Sequence, residues 1–172
     1  MAISLYAATI PSCQQLLGAV DALLDKAKAF CAEKGIAEEE MIEARLIEDM
    51  LPFAYQVRAT ATHSIGAIEG IRKGTFSPDR SPWPESFAAL KQLVAETRSA
   101  LAALDPAEID GFEGRPMCFE LPGLRADFTA ENFLLSFSQP NFYFHATTAY
   151  DIMRMKGVQI GKRDFMGVWR TV

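Results

Sequence analysis

From Pro11 to Lys34 the apolar positions fall at Leu16, Leu17, Val20, Leu23, Leu24, Ala27, Phe30 and Cys31. Spacings of three and four put them on one stripe of a helix, and Gly35 stands where that helix should end. The acidic stretch Ile36 to Leu51 has room for a short helical turn. Pro52 then suits the first turn of a second helix that runs to about Lys73, with Phe53, Val57, Ala61, Ile65, Ile68 and Ile71 on its apolar side. Gly74 is placed to close it in a left-handed turn.

Thr75 to Glu85 holds three prolines and two serines with Asp79, Arg80 and Trp83, and is expected to be an ordered connection. Extended, it reaches roughly 40 Å, enough to pass a 20-residue helix of about 30 Å. The second and third helices therefore need not be antiparallel neighbours. Helix three is expected from Ser86, through Phe87, Leu90, Val94, Leu101 and Leu104, until Pro106 stops it. Met117 to Leu121 and Leu124 to Phe128 alternate around Pro122-Gly123 and predict a small hairpin. Helix four should begin at Thr129, be kinked or divided at Pro140, and end at Gly157. The tail Val158 to Val172 is expected to lie on the helices through Phe165 and Trp169.

The length of 172 residues and the absence of a second core predict one domain, residues 1–172, of an all-α bundle with a small hairpin before its last helix. With 49% hydrophobic and 23% charged residues the composition is that of a globular protein. No apolar run approaches the roughly 20 residues of a membrane span. Met1 to Tyr6 has neither the basic start nor the apolar stretch of a secretory signal, which points to the cytoplasm. Three irregularly spaced cysteines form no disulfide framework. Cys13 and Cys31, on one face of helix one but about 27 Å apart along it, are expected in the core. A net charge of −5 argues against nucleic acid as a partner.

Candidate chemistry is confined to the only two histidines, His63 and His145. At 100° per residue, Leu134, Phe137, Asn141, His145, Thr148 and Ile152 share one face of helix four, so Asn141 and His145 project together. On helix two, Gln56, Thr60 and Ala67 accompany His63 and leave space beside an imidazole. If the two faces meet, the imidazoles need partners: a shared ligand, water or a hydrogen bond. Metal coordination by His63, His145 and the Asn141 amide oxygen is one reading, although zinc and similar ions prefer a third nitrogen, sulfur or carboxylate donor. Hydrogen-bonded core histidines are the other. There is no Gly-x-Ser-x-Gly elbow, no Gly-rich phosphate loop and no His-Glu-x-x-His. Gly66 and Gly70 read as a close helix contact, and Asp151, Arg154 and Gly161-Lys162-Arg163-Asp164 as surface.

The stretch Pro140-Asn141-Phe142-Tyr143-Phe144-His145, continuing through Ala149-Tyr150-Asp151-Ile152-Met153-Arg154 to Gly157 and Gly161-Lys162-Arg163-Asp164-Phe165, resembles an uncharacterised bacterial domain-of-unknown-function family of the DinB/YfiT-like metalloenzyme superfamily. Leu5-Tyr6, Pro11, Leu16-Leu17 and Ala44-Arg45-Leu46 to Asp49-Met50-Leu51-Pro52 resemble it too. The resemblance implies a DinB-like four-helix bundle with long crossover connections. It also implies a divalent metal (zinc, nickel or iron) held by a histidine on helix two and a His-x-x-x-His pair on helix four, in some members for thiol-dependent transfer or isomerisation. His63 matches the first and His145 the second of the pair, while Asn141 stands in place of the other histidine. A small-molecule substrate and a homodimer are the partners this implies. The alternative is a metal-free ligand-binding or interaction module.

Overall fold

In the computed structural model, which describes residues 3–171, the first helix α1 (Leu5–Lys34) begins six residues earlier than the apolar stripe predicts. Ser4 caps it, its hydroxyl accepting from the Ala7 N–H at 3.3 Å. Pro11 therefore lies inside the helix. The carbonyl it cannot serve is that of Ala7, an exposed residue, so the lost bond falls where water can replace it. Gly35, at φ 64°, ends the helix in the left-handed region as expected. The acidic segment contributes the short α2 (Glu38–Ile42).

The second helix is not continuous. It forms as α3 (Phe53–Thr62) and α4 (Ile65–Lys73), broken at His63 and Ser64, where Ser64 takes φ −117° and ψ −91°. The Ser64 hydroxyl donates back to the Thr60 carbonyl at 2.6 Å, a bond that competes with the helix ladder and bends it. Apolar periodicity carries no record of such a break, because the spacing of Phe53, Val57, Ile65 and Ile68 stays helical across it.

Gly74, at φ 79°, turns the chain into β1 (Thr75–Phe76). The chain is mostly helical, and the expected hairpin gains a third strand: β1 pairs in parallel with β2 (Pro116–Leu121), which pairs antiparallel with β3 (Leu124–Thr129). The β2–β3 hairpin falls where alternation placed it. Leu121 faces Leu124 across Pro122-Gly123, with Gly123 at φ 80°, the proline-then-left-handed order of a type II turn. Two residues of β1 are too few to show alternation, and its pairing with β2 is a tertiary event. Between the strands, α5 (Phe87–Ala102) starts at the Ser86 cap. Pro106 then opens a further helix, α6 (Pro106–Asp110), capped by Asp105.

The last long segment begins as α7 (Ala130–Asn132), passes through a π-helical stretch at Phe133–Ser138 and continues as α8 (Gln139–Met155). The Gln139 N–H reaches five residues back to the Leu134 carbonyl. Pro140 thus perturbs the helix by widening it rather than cutting it. Helix α1 packs on α5 and α8, and α3 on both α8 and α5; Leu17, Leu24, Phe53, Phe87, Phe133 and Phe142 lie at the centre. All three cysteines are buried and unpaired, with burial pushing the Cys13 thiol up to about 12. No helix among the described residues is long and apolar enough to cross a membrane.

The tail forms α9 (Lys162–Met166) and is held by Lys26–Asp164 at 2.6 Å and by Phe165 against Tyr150 at 5.7 Å between ring centroids. Arg154, expected to be a plain surface charge, donates to the Ile160 carbonyl at 2.7 Å and ties the tail to α8. The expectation for Trp169 fails: it is 58% exposed, because Gly167 redirects the chain at φ 62°.

Gly70 has a sharper role than general helix contact. A Cβ there would lie 2.9 Å from the Phe76 Cβ, and Phe76 is fixed by its place in β1. Gly70→Ala should lower stability in urea unfolding by about 1–3 kcal/mol, the range for an overpacked core. Gly35→Ala, with open space around it, should show only backbone strain.

Candidate functional site

Helices α3 and α8 bring the two imidazoles together: the ring centroids of His63 and His145 are 5.6 Å apart with planes inclined by 16°. His63 stands at the break that ends α3. Its carbonyl, released from regular helix geometry, accepts from the Ser138 hydroxyl at 3.0 Å, and Ser138 is the last residue of the π-helical stretch. The two irregular segments are thereby joined beside the two rings. His145 is buried, at 8% exposed, and His63 is half-buried.

His145 is bound by a residue that the sequence marked only as leaving space. Gln56, 2% exposed, brings its Oε1 to 2.7 Å from His145 Nδ1 and donates its Nε2 to the Leu51 carbonyl at 2.8 Å. A carbonyl can only accept, so the Gln56 amide is oriented with Nε2 toward Leu51 and Oε1 toward the ring. His145 Nδ1 is therefore the donor, and in the neutral ring Nε2 carries the lone pair. The signal available in the sequence was a glutamine on the apolar stripe seven residues, or two turns, before His63.

His63 is different. Its Nδ1 is enclosed and has no hydrogen-bond partner, and the ring is surrounded by Phe76 at 5.5 Å and Phe137 at 5.9 Å. Burial, and then the neighbouring His145, lower the His63 pKa to about 4. Burial alone lowers that of His145 to about 4. Both rings are neutral at neutral pH.

Asn141 lines the same cavity, but its Nδ2 donates to the Phe137 carbonyl at 2.7 Å, one turn back on its own helix. It supports the junction between the π-helical stretch and α8 and leaves its amide oxygen and its second N–H without a partner among the described residues. The cavity, of about 300 Å³, is lined by the two histidines and Asn141, by Tyr55, Arg58, Ala59 and Thr62 of α3, and by Phe76, Pro78, Asp79, Phe119 and Phe137. Arg58 was not foreseen. It is buried, donates to the carbonyls of Ser81 and Asp79, lies 3.6 Å from the Asp79 carboxylate and covers the Tyr55 ring at 5.1 Å. It thus pins the proline-rich connection across the cavity. The Asp79 carboxylate is itself engaged by the Ser81 N–H at 2.9 Å and hydroxyl at 2.7 Å.

The protein donors available to a metal ion are two neutral imidazoles and one amide oxygen. Among the described residues no cluster of three or more His, Cys, Asp or Glu side chains exists, and the one carboxylate in the cavity wall is engaged with Ser81 and Arg58. Structural and catalytic zinc sites draw at least three nitrogen, sulfur or carboxylate ligands from the protein. This set does not reach that number.

The sequence profile of a family described as Domain of unknown function (DUF1993) matches residues 5–166. The crystal structure of a DinB family member protein from Shewanella denitrificans, at 1.83 Å resolution, aligns with a TM-score of 0.82 at 25% identity, covering 98% of this chain and 94% of that one. No curated protein matches the chain.

Because unfolded imidazoles bind protons near pH 6.5 and these folded rings only near 4, the unfolded chain holds more protons between those values. The stability these rings permit is whole above about pH 6.5 and is lost as pH falls toward 4. In urea unfolding, His63→Phe should lose about 1–2 kcal/mol less than the wild type between pH 6.5 and 5. The two imidazole Hε1 resonances should stay still in NMR spectra from pH 8 to pH 5.5.

Proposed function

The chain belongs to the family described as Domain of unknown function (DUF1993), and within it we propose that the cavity between α3 and α8 is a small-molecule-binding site in which His63 and His145 grip one polar group of the ligand without a resident metal. The observation that carries this is the chain from the Leu51 carbonyl through Gln56 to His145 Nδ1, which directs an unprotonated Nε2 away from Gln56. On His63 the enclosed Nδ1 is without a partner. An orphaned buried N–H is rarer than an unfilled acceptor and costs about 1–3 kcal/mol, so the proton belongs on Nε2. One ring then offers an acceptor and the other a donor. A metal would need lone pairs from both, forcing the His63 proton onto the sealed Nδ1.

Binding rather than proton transfer is the activity this supports. Bases whose pKa lies near 4 are poorly matched to proton abstraction at neutral pH. The second reading is a divalent ion whose remaining ligands come from the substrate. It draws support from the Gln56 contact, since metal-bound histidines usually donate their other N–H to an oxygen.

Tag-free protein distinguishes the two readings. Zinc, nickel or iron(II) should leave its melting temperature unchanged, whereas members of a fragment library should raise it and shift both histidine resonances, effects that His145→Phe abolishes. A stoichiometric metal that stabilises the wild type by several degrees but not His63→Ala would overturn the metal-free reading in favour of the second.

A further inference from the structure

We infer that the ligand of this cavity is an uncharged molecule that presents a hydroxyl on a flat, ring-sized apolar body. The inference rests on the metal-free reading above and deepens it. The body is set by the walls. Phe119 and Phe137 are 4.8 Å apart between ring centroids and Phe76 and Phe137 6.3 Å, and with Ala59 and Pro78 they supply the apolar wall of a cavity of about 300 Å³. That volume stands at the small end of ligand pockets and admits one six-membered ring with a short substituent.

The polar group is set by the two imidazoles. A ligand atom between them meets the lone pair of His145 Nε2 and the N–H of His63 Nε2. A hydroxyl answers both, donating to the first and accepting from the second. At hydrogen-bond lengths of about 2.8 Å one oxygen bridges nitrogens roughly 4.5–5 Å apart, a span that rings 5.6 Å apart can present. A carboxylate cannot donate and would face the His145 lone pair. An ammonium cannot accept.

Charge argues the same way. The ionised groups in the lining are Arg58 and Asp79, of opposite sign and 3.6 Å apart, so they offset each other and the lining carries no net charge to offer a ligand. A charged ligand would enter a mostly apolar cavity uncompensated. Asn141, with its oxygen and one N–H unused, adds a second neutral polar group for the ligand.

The test titrates phenol, anisole, benzoate and benzylammonium into the full chain and follows the Hε1 resonances of the two histidines. Phenol should shift both to saturation, anisole should bind at least tenfold more weakly, and neither ion should bind at the concentrations where phenol saturates. Gln56→Met keeps both rings but releases the His145 tautomer, so the preference for phenol over anisole should collapse, a change that mere loosening of the fold would not produce. Anisole binding as well as phenol would remove the hydroxyl from the inference, and tighter benzoate would reverse the charge argument. If none of the four perturbs the rings while a library fragment does, the ligand class is wrong and the binding site stands. If phenol binds only after zinc is added, the metal-free reading itself fails.

Discussion

A single hydrogen bond, from the Ser138 hydroxyl to the His63 carbonyl, joins the two places where the helices of this protein depart from regularity. A break in a helix releases backbone groups that must find partners when buried. Here the break at His63 is answered by the end of the π-helical stretch on the facing segment. The consequence is positional: each irregularity fixes the rotation of its own helix relative to the other. Both imidazoles are delivered to one cavity, although they are 82 residues apart in the chain.

Around that junction the polar groups fall into two sets with different roles. Gln56 and Asn141 each use one amide nitrogen on a backbone carbonyl, Leu51 and Phe137 respectively, and so turn a fixed oxygen elsewhere: Gln56 toward His145, and Asn141 without a protein partner for its own. Arg58 and Asp79 hold the proline-rich connection against the cavity. The first set fixes polar atoms in the cavity, and the second fixes part of its wall. Because the rings are enclosed chiefly by phenylalanines and face no carboxylate, burial dominates their electrostatics and keeps both neutral.

The structural relative covers 98% of this chain, so the frame around the cavity is common to both proteins. Where the resemblance led one to expect a second histidine on α8, the amide of Asn141 serves its own helix. A side chain that bonds a backbone carbonyl one turn back has a structural reason to be there that is independent of any ion.

Much of the frame was legible in the sequence. Apolar stripes located the long helices, Gly35 and Gly74 ended them, and Pro122-Gly123 placed the hairpin, because each is a local matter of spacing or backbone freedom. Pro140 announced a disturbance in the last long helix. The two histidines and Asn141 were visible as a polar island on helical faces. Tertiary structure alone decided that His63 sits at a break, that Gln56 is the partner of His145, that Thr75 and Phe76 add a strand to the hairpin, and that Arg58 spans to the connection. The physical reason is the same in each case. A residue's identity and spacing fix which way its side chain leaves the backbone, but whether a buried donor finds an acceptor depends on what a distant segment brings within about 3 Å of it.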